Sequence, residues 1–552
     1  MSTSLENMGY MNAGNMSTIN AGNMNTMNAL DDMDALRQSV RGRIGVREDV
    51  EEDGLVHEML QASRDIKDLL VSSFGPRGSS KIIISPTDDV YLTSDGKTII
   101  EQIDVLHPVI TSLKKLAMSM DRVCGDGTKT AVIIAASLIE NAAKLMDIGL
   151  HPTTIIKGYQ LALNKAYDIL NYESIRISSE NDLHSVIENA SLGKGIEPHQ
   201  ARIIADIVLE TLSKIRDIHG DAHIDLNDYV KVIKKVGSPS IESISGMVLD
   251  ERPARSDMPW HLENTSVLMI NGNVKFESKI INSQRNLRID DLADPRLIFQ
   301  GQERNLKVMS QKIIDSGAKL VFCEGEVDES VEGSLAKHGV LLFQKLKLRD
   351  MEMVSKATGA SILSIRDDIM LDHLGFADEA EVVKRNDEHF LFLSVSDQLI
   401  STIMIWEPFR YGLEKIEEAV DDAVNNAAFI LKNPLAVRGG GDVEFVLSQM
   451  LRQYSSTIEG KEQLAVIEYA NALEEIPRTL ARNVGLNEVD AVTRMLNSYN
   501  KGIDCRIDQS RNVVPNNPPV YDSFSIKQMA VIAATEAVSN ILRIDKIVLK
   551  KS

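Results

Sequence analysis

Residues 125–139 read GDGTKTAVIIAASLI, and the reading of this stretch governs that of the whole chain. Gly125 and Gly127 flank Asp126, and Thr128, Lys129 and Thr130 open an apolar run predicted to be helical as far as Met146. Glycines just before a helix leave main-chain N–H groups uncovered at its positive end, where phosphate is favourable. Asp126 could hold Mg2+ together with phosphate oxygens, and the threonine hydroxyls could donate to phosphate. The same letters also make an ordinary helix cap. They do not follow the GxxxxGK[ST] spacing of a P-loop, so taken alone the stretch leaves both readings open.

Three other places repeat the pairing of glycine with carboxylate or turn. Gly75–Pro76–Arg77–Gly78 follows a helix, as either a tight turn or a close approach of backbone to ligand. Ser94–Asp95–Gly96 ends a strand, where Asp95 either forms the turn or binds a metal or orients a water. Arg438–Gly439–Gly440–Gly441–Asp442 precedes a helix, as a low-steric wall. Upstream, Asp421 and Asp422 lie inside a helix, either on a solvated face or at a site. Several such signals in one chain weigh more than each alone. No Ser/His/Asp order or close His/Cys cluster stands out, and Cys124 reads as a spacer rather than a nucleophile.

The 552 residues correspond to roughly three or four domains at about 150 residues each. With 80 acidic and 60 basic side chains, the net charge is −20, which opposes whole-surface binding to nucleic acid or anionic membrane. Three cysteines cannot form a disulfide framework, so a reducing, cytoplasmic setting is expected. Neither a transmembrane run nor a signal peptide is expected. Residues 1 to about 40 are Asn- and Met-rich, with NAGNM twice, and read as a disordered tail. Periodicity predicts helix-rich blocks on both sides of a mixed stretch over roughly 250–370. That pattern fits an inserted segment, with the outer block closing from both chain ends.

Together the motifs resemble the group II chaperonins, the family of the archaeal thermosome and the eukaryotic cytosolic chaperonin (TCP-1 ring complex) subunits. SSFGPRGSSKIII resembles the family's SLGPRGMDKML, and LTSDGKTIIEQIDVLHPV its ITNDGATILKEMDIxHPA. GDGTKTAVIIAASLI resembles GDGTTTAVVIAGELL, and DDAVNNAAFILKNPLAVRGGGDVE resembles HDALCVVKRVLxxxxVVPGGGAVE. YANALEEIPRTLARNVGLNEVD and ATEAVSNILRIDKIV complete six matches in family order, over about residues 45–550. The resemblance implies a multidomain α+β/α/β fold. A mostly helical equatorial ATP-binding domain would take 43–180 and 423–552, beyond a tail at 1–42. An intermediate domain would take 181–250 and 371–422. A mixed apical domain at 251–370 would carry a helical lid protrusion near Ser278–Glu303.

Carried over by motif, Gly75 and Pro76 line the nucleotide site and Asp126 is the Mg2+ ligand. Gly127, Thr128, Lys129 and Thr130 face the phosphates, and Gly440 and Gly441 border the nucleotide. Asp95 helps organise the attacking water, and Asp422 swings in as the catalytic carboxylate. The implied protein is an ATPase, with ATP and Mg2+ as cofactors. It would assist folding of non-native proteins inside two stacked eight-membered rings of chaperonin subunits. Its clients would be unfolded proteins, actin and tubulin among them if the ring is eukaryotic, with no nucleic acid and no membrane.

The departures matter as much. Lys129 replaces a small hydroxyl residue and could reach phosphate or crowd the pocket. Glu418 stands where ERSxHDA has arginine, Asp421 replaces the histidine, and Ser94 replaces the asparagine of TNDG. In RIDQSRNVVPNNPPVY (506–521) the family's ribose-side aspartate falls on Val514. This drift points to one specialised subunit of a hetero-oligomeric ring, with slow hydrolysis. The alternative is a chaperonin-like structural or assembly protein that binds ATP with little or no hydrolysis.

Overall fold

The computed structural model describes residues 52–84, 90–103, 107–219, 229–275, 295–364, 367–396 and 400–544. Residues Met59–Ile547 form one compact unit. A second unit joins 1–58 to 548–552, and of it only 52–58 are described, as the first turns of the helix Glu52–Val71. The expected tail, a terminal strand at IVLKKS, and most of the expected protrusion therefore lie outside the described residues. The last part of that protrusion stretch opens the helix Pro295–Asp315.

The helix Thr128–Asp147 is apolar on nearly every side, and its residues Ala131–Ala136 are buried completely. Such a helix has to be surrounded. Pro108–Cys124 and Pro152–Glu173 pack on it from the first part of the chain, and Glu462–Val484 and Phe524–Ile541 from the last. Tyr159 and Tyr469 meet edge to face inside this core, with ring centroids 5.5 Å apart. Being buried, each hydroxyl needs a partner. Tyr159 donates to the Leu138 carbonyl at 2.8 Å, and the Tyr469 hydroxyl pairs with that of Thr535 at 2.7 Å.

A second core joins the helices Glu180–Leu192, Pro198–His219 and Arg410–Lys432. They cover a three-stranded sheet whose central strand, Ser401–Glu407, runs parallel to Val230–Val236 and antiparallel to Ser240–Ser245. A third core is a seven-stranded mixed sheet in the order Met247–Leu249, Glu388–Ser394, Gly375–Arg385, His261–Asn271, Leu320–Cys323, Leu341–Phe343, with Ile362–Ser364 also paired to His261–Asn271. The helices Pro295–Asp315, Glu329–Lys337 and Leu348–Thr358 pack against it. LVFC and LLF are buried throughout and lie in its parallel part, which accounts for their lack of alternation.

The sheet continues past residue 370, where the mixed stretch was expected to end. The additional hairpin turns at Asn386 and Asp387, both at positive φ (50° and 66°), and Arg385 pairs with Glu388 across it. A two-residue turn of this kind matches the twist of its strands. Among the described residues, no helix is long and apolar enough to cross a membrane.

Gly158 sits where the helices Pro152–Glu173 and Glu462–Val484 come closest. A Cβ there would lie 2.5 Å from Ala465 Cβ and 2.9 Å from the Glu462 carbonyl. On an open helix, Gly158→Ala would stabilise by about 1 kcal/mol. Here it is expected to destabilise by about 1–3 kcal/mol, as overpacking does. Urea denaturation of the two proteins checks the sign.

Candidate active site

A cavity of about 660 Å³ opens between the helical core and the helix Arg410–Lys432. Gly75, Pro76, Asp95, Asp126, Gly127, Thr128, Lys129, Thr130, Asp422, Gly440 and Gly441 all line it. Among the helices that begin at its wall are Thr128–Asp147, whose N-cap is Gly127, and Asp442–Ser455, whose N-cap is Gly441. Both caps are left-handed, at φ 79° and 85°, and neither supplies a side-chain hydrogen bond. A Cβ on Gly127 would fall 2.8 Å from Ile526 Cγ2, so nothing larger fits. The first N–H groups of both helices thus receive no bond from a cap side chain and can face an anion, although that of Asp442 also reaches the Gly439 carbonyl at 3.4 Å. Elsewhere Asp95, His107, Ser179, Asp328 and Asn487 cap helices with their own side chains.

Carboxylates from separate segments meet at one end. Asp95 caps the helix Gly96–Glu101, its Oδ2 accepting from the Thr98 N–H at 2.9 Å and the Thr98 hydroxyl at 3.1 Å. Asp422 is buried on the helix Arg410–Lys432, one turn before Asn426. Asn426 Nδ2 donates to Asp126 Oδ2 at 2.8 Å and to the Asp422 carbonyl at 2.9 Å. Lys194, between the helices Glu180–Leu192 and Pro198–His219, places its Nζ 3.0 Å from Asp95 Oδ1 and 3.4 Å from Asp422 Oδ2.

This arrangement divides the protons. Burial opposes charge on Asp95, yet Lys194 and the Thr98 N–H hold its carboxyl well below the usual range. Burial likewise opposes the Lys194 ammonium, and Asp422 and Asp95 override it, keeping Lys194 a cation. Asp422 goes the other way. Burial, aided by Asp126 and Asp95 and only countered by Lys194, raises it well above a normal aspartate. Asp95 is therefore a fixed anion, and Asp422 is a carboxyl with the proton affinity that a base needs. Glu418 joins the group: burial pushes it up to about 7, against the pull of Lys194. Its Oε1 accepts from the Thr93 hydroxyl at 3.3 Å, while its Oε2 is buried and has no hydrogen-bond partner among the described residues.

Lys129 lines the cavity, but its amine is bonded to main-chain carbonyls, Ser73 O at 2.8 Å and Ser94 O at 3.1 Å. Cys124 is buried and its thiol is pushed up to about 11 by burial and Asp126, which leaves it no thiolate character. Val514 lies on the strand Asn512–Pro515 and does not line the cavity. Asp522 does line it, and accepts from Asn189 Nδ2 at 2.5 Å and pairs with Lys527 at 2.9 Å. Sequence reasoning missed Lys194, Asn426, Asn189 and Asp522. Two signals were present: a lysine bracketed by Gly193 and Gly195 in a helix break, and an amide one turn from Asp422.

The site suits a phosphorylated ligand with a divalent cation. The two uncapped helix starts would take phosphate oxygens, with Thr128 and Thr130 beside one of them. Among the described residues no three His, Cys, Asp or Glu side chains converge on one point to hold a metal. A cation at Asp126 would accordingly share ligand oxygens, as Mg2+ does.

The profile of the TCP-1/cpn60 chaperonin family matches residues 66–552. A thermosome subunit beta of Archaeoglobus fulgidus is 34% identical over 501 residues, covering 89% of this chain and 91% of that protein. A thermosome subunit of Methanopyrus kandleri is 33% identical over 499 residues, with 89% and 91% covered. A thermosome subunit beta of Desulfurococcus mucosus is 32% identical over 496 residues, covering 87% and 97%.

The raised Glu418 carboxyl sets a direction for stability against pH. Folded Glu418 binds its proton up to about pH 7, whereas its unperturbed value is 4.5. The folded state therefore holds more protons in that window, and stability falls as pH rises through it. Glu418→Gln is expected to remove this component, worth at most about 3 kcal/mol. Urea midpoints of both proteins at about pH 5 and about pH 7.5 measure it. An equal slope in the two proteins would contradict the assignment.

Proposed function

The chain belongs to the group II chaperonins of the TCP-1/cpn60 family, and from that premise we propose that it is an ATP-driven folding subunit with Asp95 and Asp422 as its catalytic carboxylates. Protein folding is the general work of the family. The carrying observation is the meeting of Lys194 with Asp95 and Asp422 beside two uncapped helix starts.

In this reading the N–H groups behind Gly127 and Gly441 hold phosphate oxygens, with help from the hydroxyls of Thr128 and Thr130. Gly75, Pro76 and Gly440 form walls against which the nucleotide lies. Asp126 would hold Mg2+, which when bound would supply neutralisation of the developing phosphate charge. Asp95, fixed as an anion, orients a water, and Asp422 accepts its proton. Asp422 reaches the cavity on a helix whose apolar face packs in a different core from the helix Thr128–Asp147. Hydrolysis would then depend on how closely that helix approaches, which ties chemistry to closure.

The wider proposal assigns the helical core to an equatorial domain, the helices around Arg410–Lys432 to an intermediate domain, and the seven-stranded sheet to an apical domain. It includes cytoplasmic rings of eight subunits, stacked in pairs and of mixed composition, that enclose unfolded clients. A second reading, ATP binding with little hydrolysis, draws on the unpartnered Glu418 oxygen beside Asp95 and Lys194.

The test is steady-state ATP hydrolysis by the purified assembled ring, with subunit composition fixed by native mass measurement. Asp422→Ala in every subunit is expected to lower turnover by roughly 10²–10³-fold while ATP is still bound. Unchanged turnover would sink the assignment. Bound ATP without phosphate release in the unaltered protein would favour the second reading.

A further inference from the structure

Lys129 is a polar group in the cavity that neither catalysis nor ligand binding explains. Its Nζ donates to Ser73 O at 2.8 Å and to Ser94 O at 3.1 Å. Those carbonyls belong to different segments. Ser73 precedes the turn at Gly75 and Pro76, and Ser94 precedes Asp95. The stem of Lys129 lies over Gly96, where a Cβ would sit 2.5 Å from Lys129 Cγ. Among the described residues the amine makes no direct ion pair, whereas Lys194 makes two. Asp95, Asp422 and Glu418 favour its charge from farther off, while burial and Lys194 press it down to about 8.

Main-chain carbonyls that converge on one point beside carboxylates are the coordination that dissolved K+ seeks when it sheds water. An ammonium offers the same unit charge, with hydrogens aimed at the same oxygens. We propose that Lys129 is a built-in monovalent cation, a positioning residue whose ammonium fills a carbonyl-lined cation site joining the Gly75–Pro76 turn to the Asp95 loop. The protein therefore needs no K+ from solution at this point. Removing the amine while leaving the space opens a site for one. The role toward phosphate rests on the ATP reading above, but the cation site itself does not.

The full-length protein, Lys129→Thr and Lys129→Met are compared by thermal denaturation without nucleotide, in KCl, NaCl, LiCl or N-methylglucamine chloride of equal ionic strength. The unaltered protein is expected to melt at one midpoint in all four salts. Lys129→Thr should melt lower in N-methylglucamine and regain at least half of the loss in K+, saturably. Lys129→Met, whose apolar stem fills the space, should melt lower in every salt alike. The proposal is overturned if Lys129→Thr ignores the cation, or if K+ stabilises the unaltered protein saturably. The second criterion stands even where neither variant folds. ATP hydrolysis by the unaltered protein in the same salts is read separately. Absence of hydrolysis would remove the ATP reading and leave the melting result to decide the cation site.

Discussion

One ammonium group, that of Lys194, lies between two carboxylates that the chain carries far apart. Asp95 is held by its own helix cap and cannot move without breaking two bonds to Thr98. Asp422 is held by the packing of a helix built into another core. Lys194 touches both, from a glycine-bracketed link between two further helices. Taking such groups out of water costs several kcal/mol each. The cost is offset only while the three stay together: Lys194 without the carboxyls, or Asp95 without Lys194, is a buried unpaired charge, and Asp422 without Lys194 holds its proton more tightly still. The position of Lys194 therefore fixes how the helix Arg410–Lys432 approaches the floor of the cavity.

The same economy of charge explains the helix starts. A cavity lined by Asp95, Asp126 and Asp522 repels anions unless something positive faces them. Five lysine and arginine side chains line it, and each is engaged within the described residues: Lys194 by carboxylates, Lys129 by carbonyls, Arg202 by Glu188, Arg506 by Asn516 and the Pro518 carbonyl, and Lys527 by Glu444 and Asp522. Main-chain N–H groups can face a phosphate without giving up such a pair. Glycine at 127 and 441 keeps those groups uncovered, where an Asp or Ser cap would satisfy them from its own side chain.

Much of the helical frame was legible, because apolar spacing and glycine stops are local signals. The helix predicted to run from Thr128 as far as Met146 is observed over Thr128–Asp147. The hairpin Gly375–Arg385 with Glu388–Ser394 went unread, although its Asn386–Asp387 turn is a local signal too. Two of its buried positions, Ala377 and Ala380, carry only a methyl group, so the apolar half of the alternation is weak. Lys194 was invisible for another reason. Its meaning comes from two partners, 99 residues away at Asp95 and over 200 away at Asp422, which no window of sequence contains. Asp522 shows the limit of motif transfer. Counting along the family pattern led to Val514, while the wall of the cavity receives a carboxylate from the next strand.

Lys129 and Glu418 both depart from the family pattern, and they bear on one another. Glu418 raises the proton affinity of the Lys129 amine, and Lys129 lowers that of the Glu418 carboxyl. In the family pattern the positive charge of this pair sits at position 418, on the helix that carries Asp422. Here it sits at position 129, pinned to the floor by two carbonyls. A cation on the helix is brought to the phosphates or withdrawn with the helix. A cation on the floor is present at every stage, so it can organise the Gly75–Pro76 turn and Asp95 but cannot report closure. With Glu418 partly unpartnered and its carboxyl pushed up to about 7 by burial, the closure proposed above would bring one more titrating carboxyl toward Asp95. Lys194, the amine that touches Asp95 and Asp422 together, is then the group left to make that approach favourable.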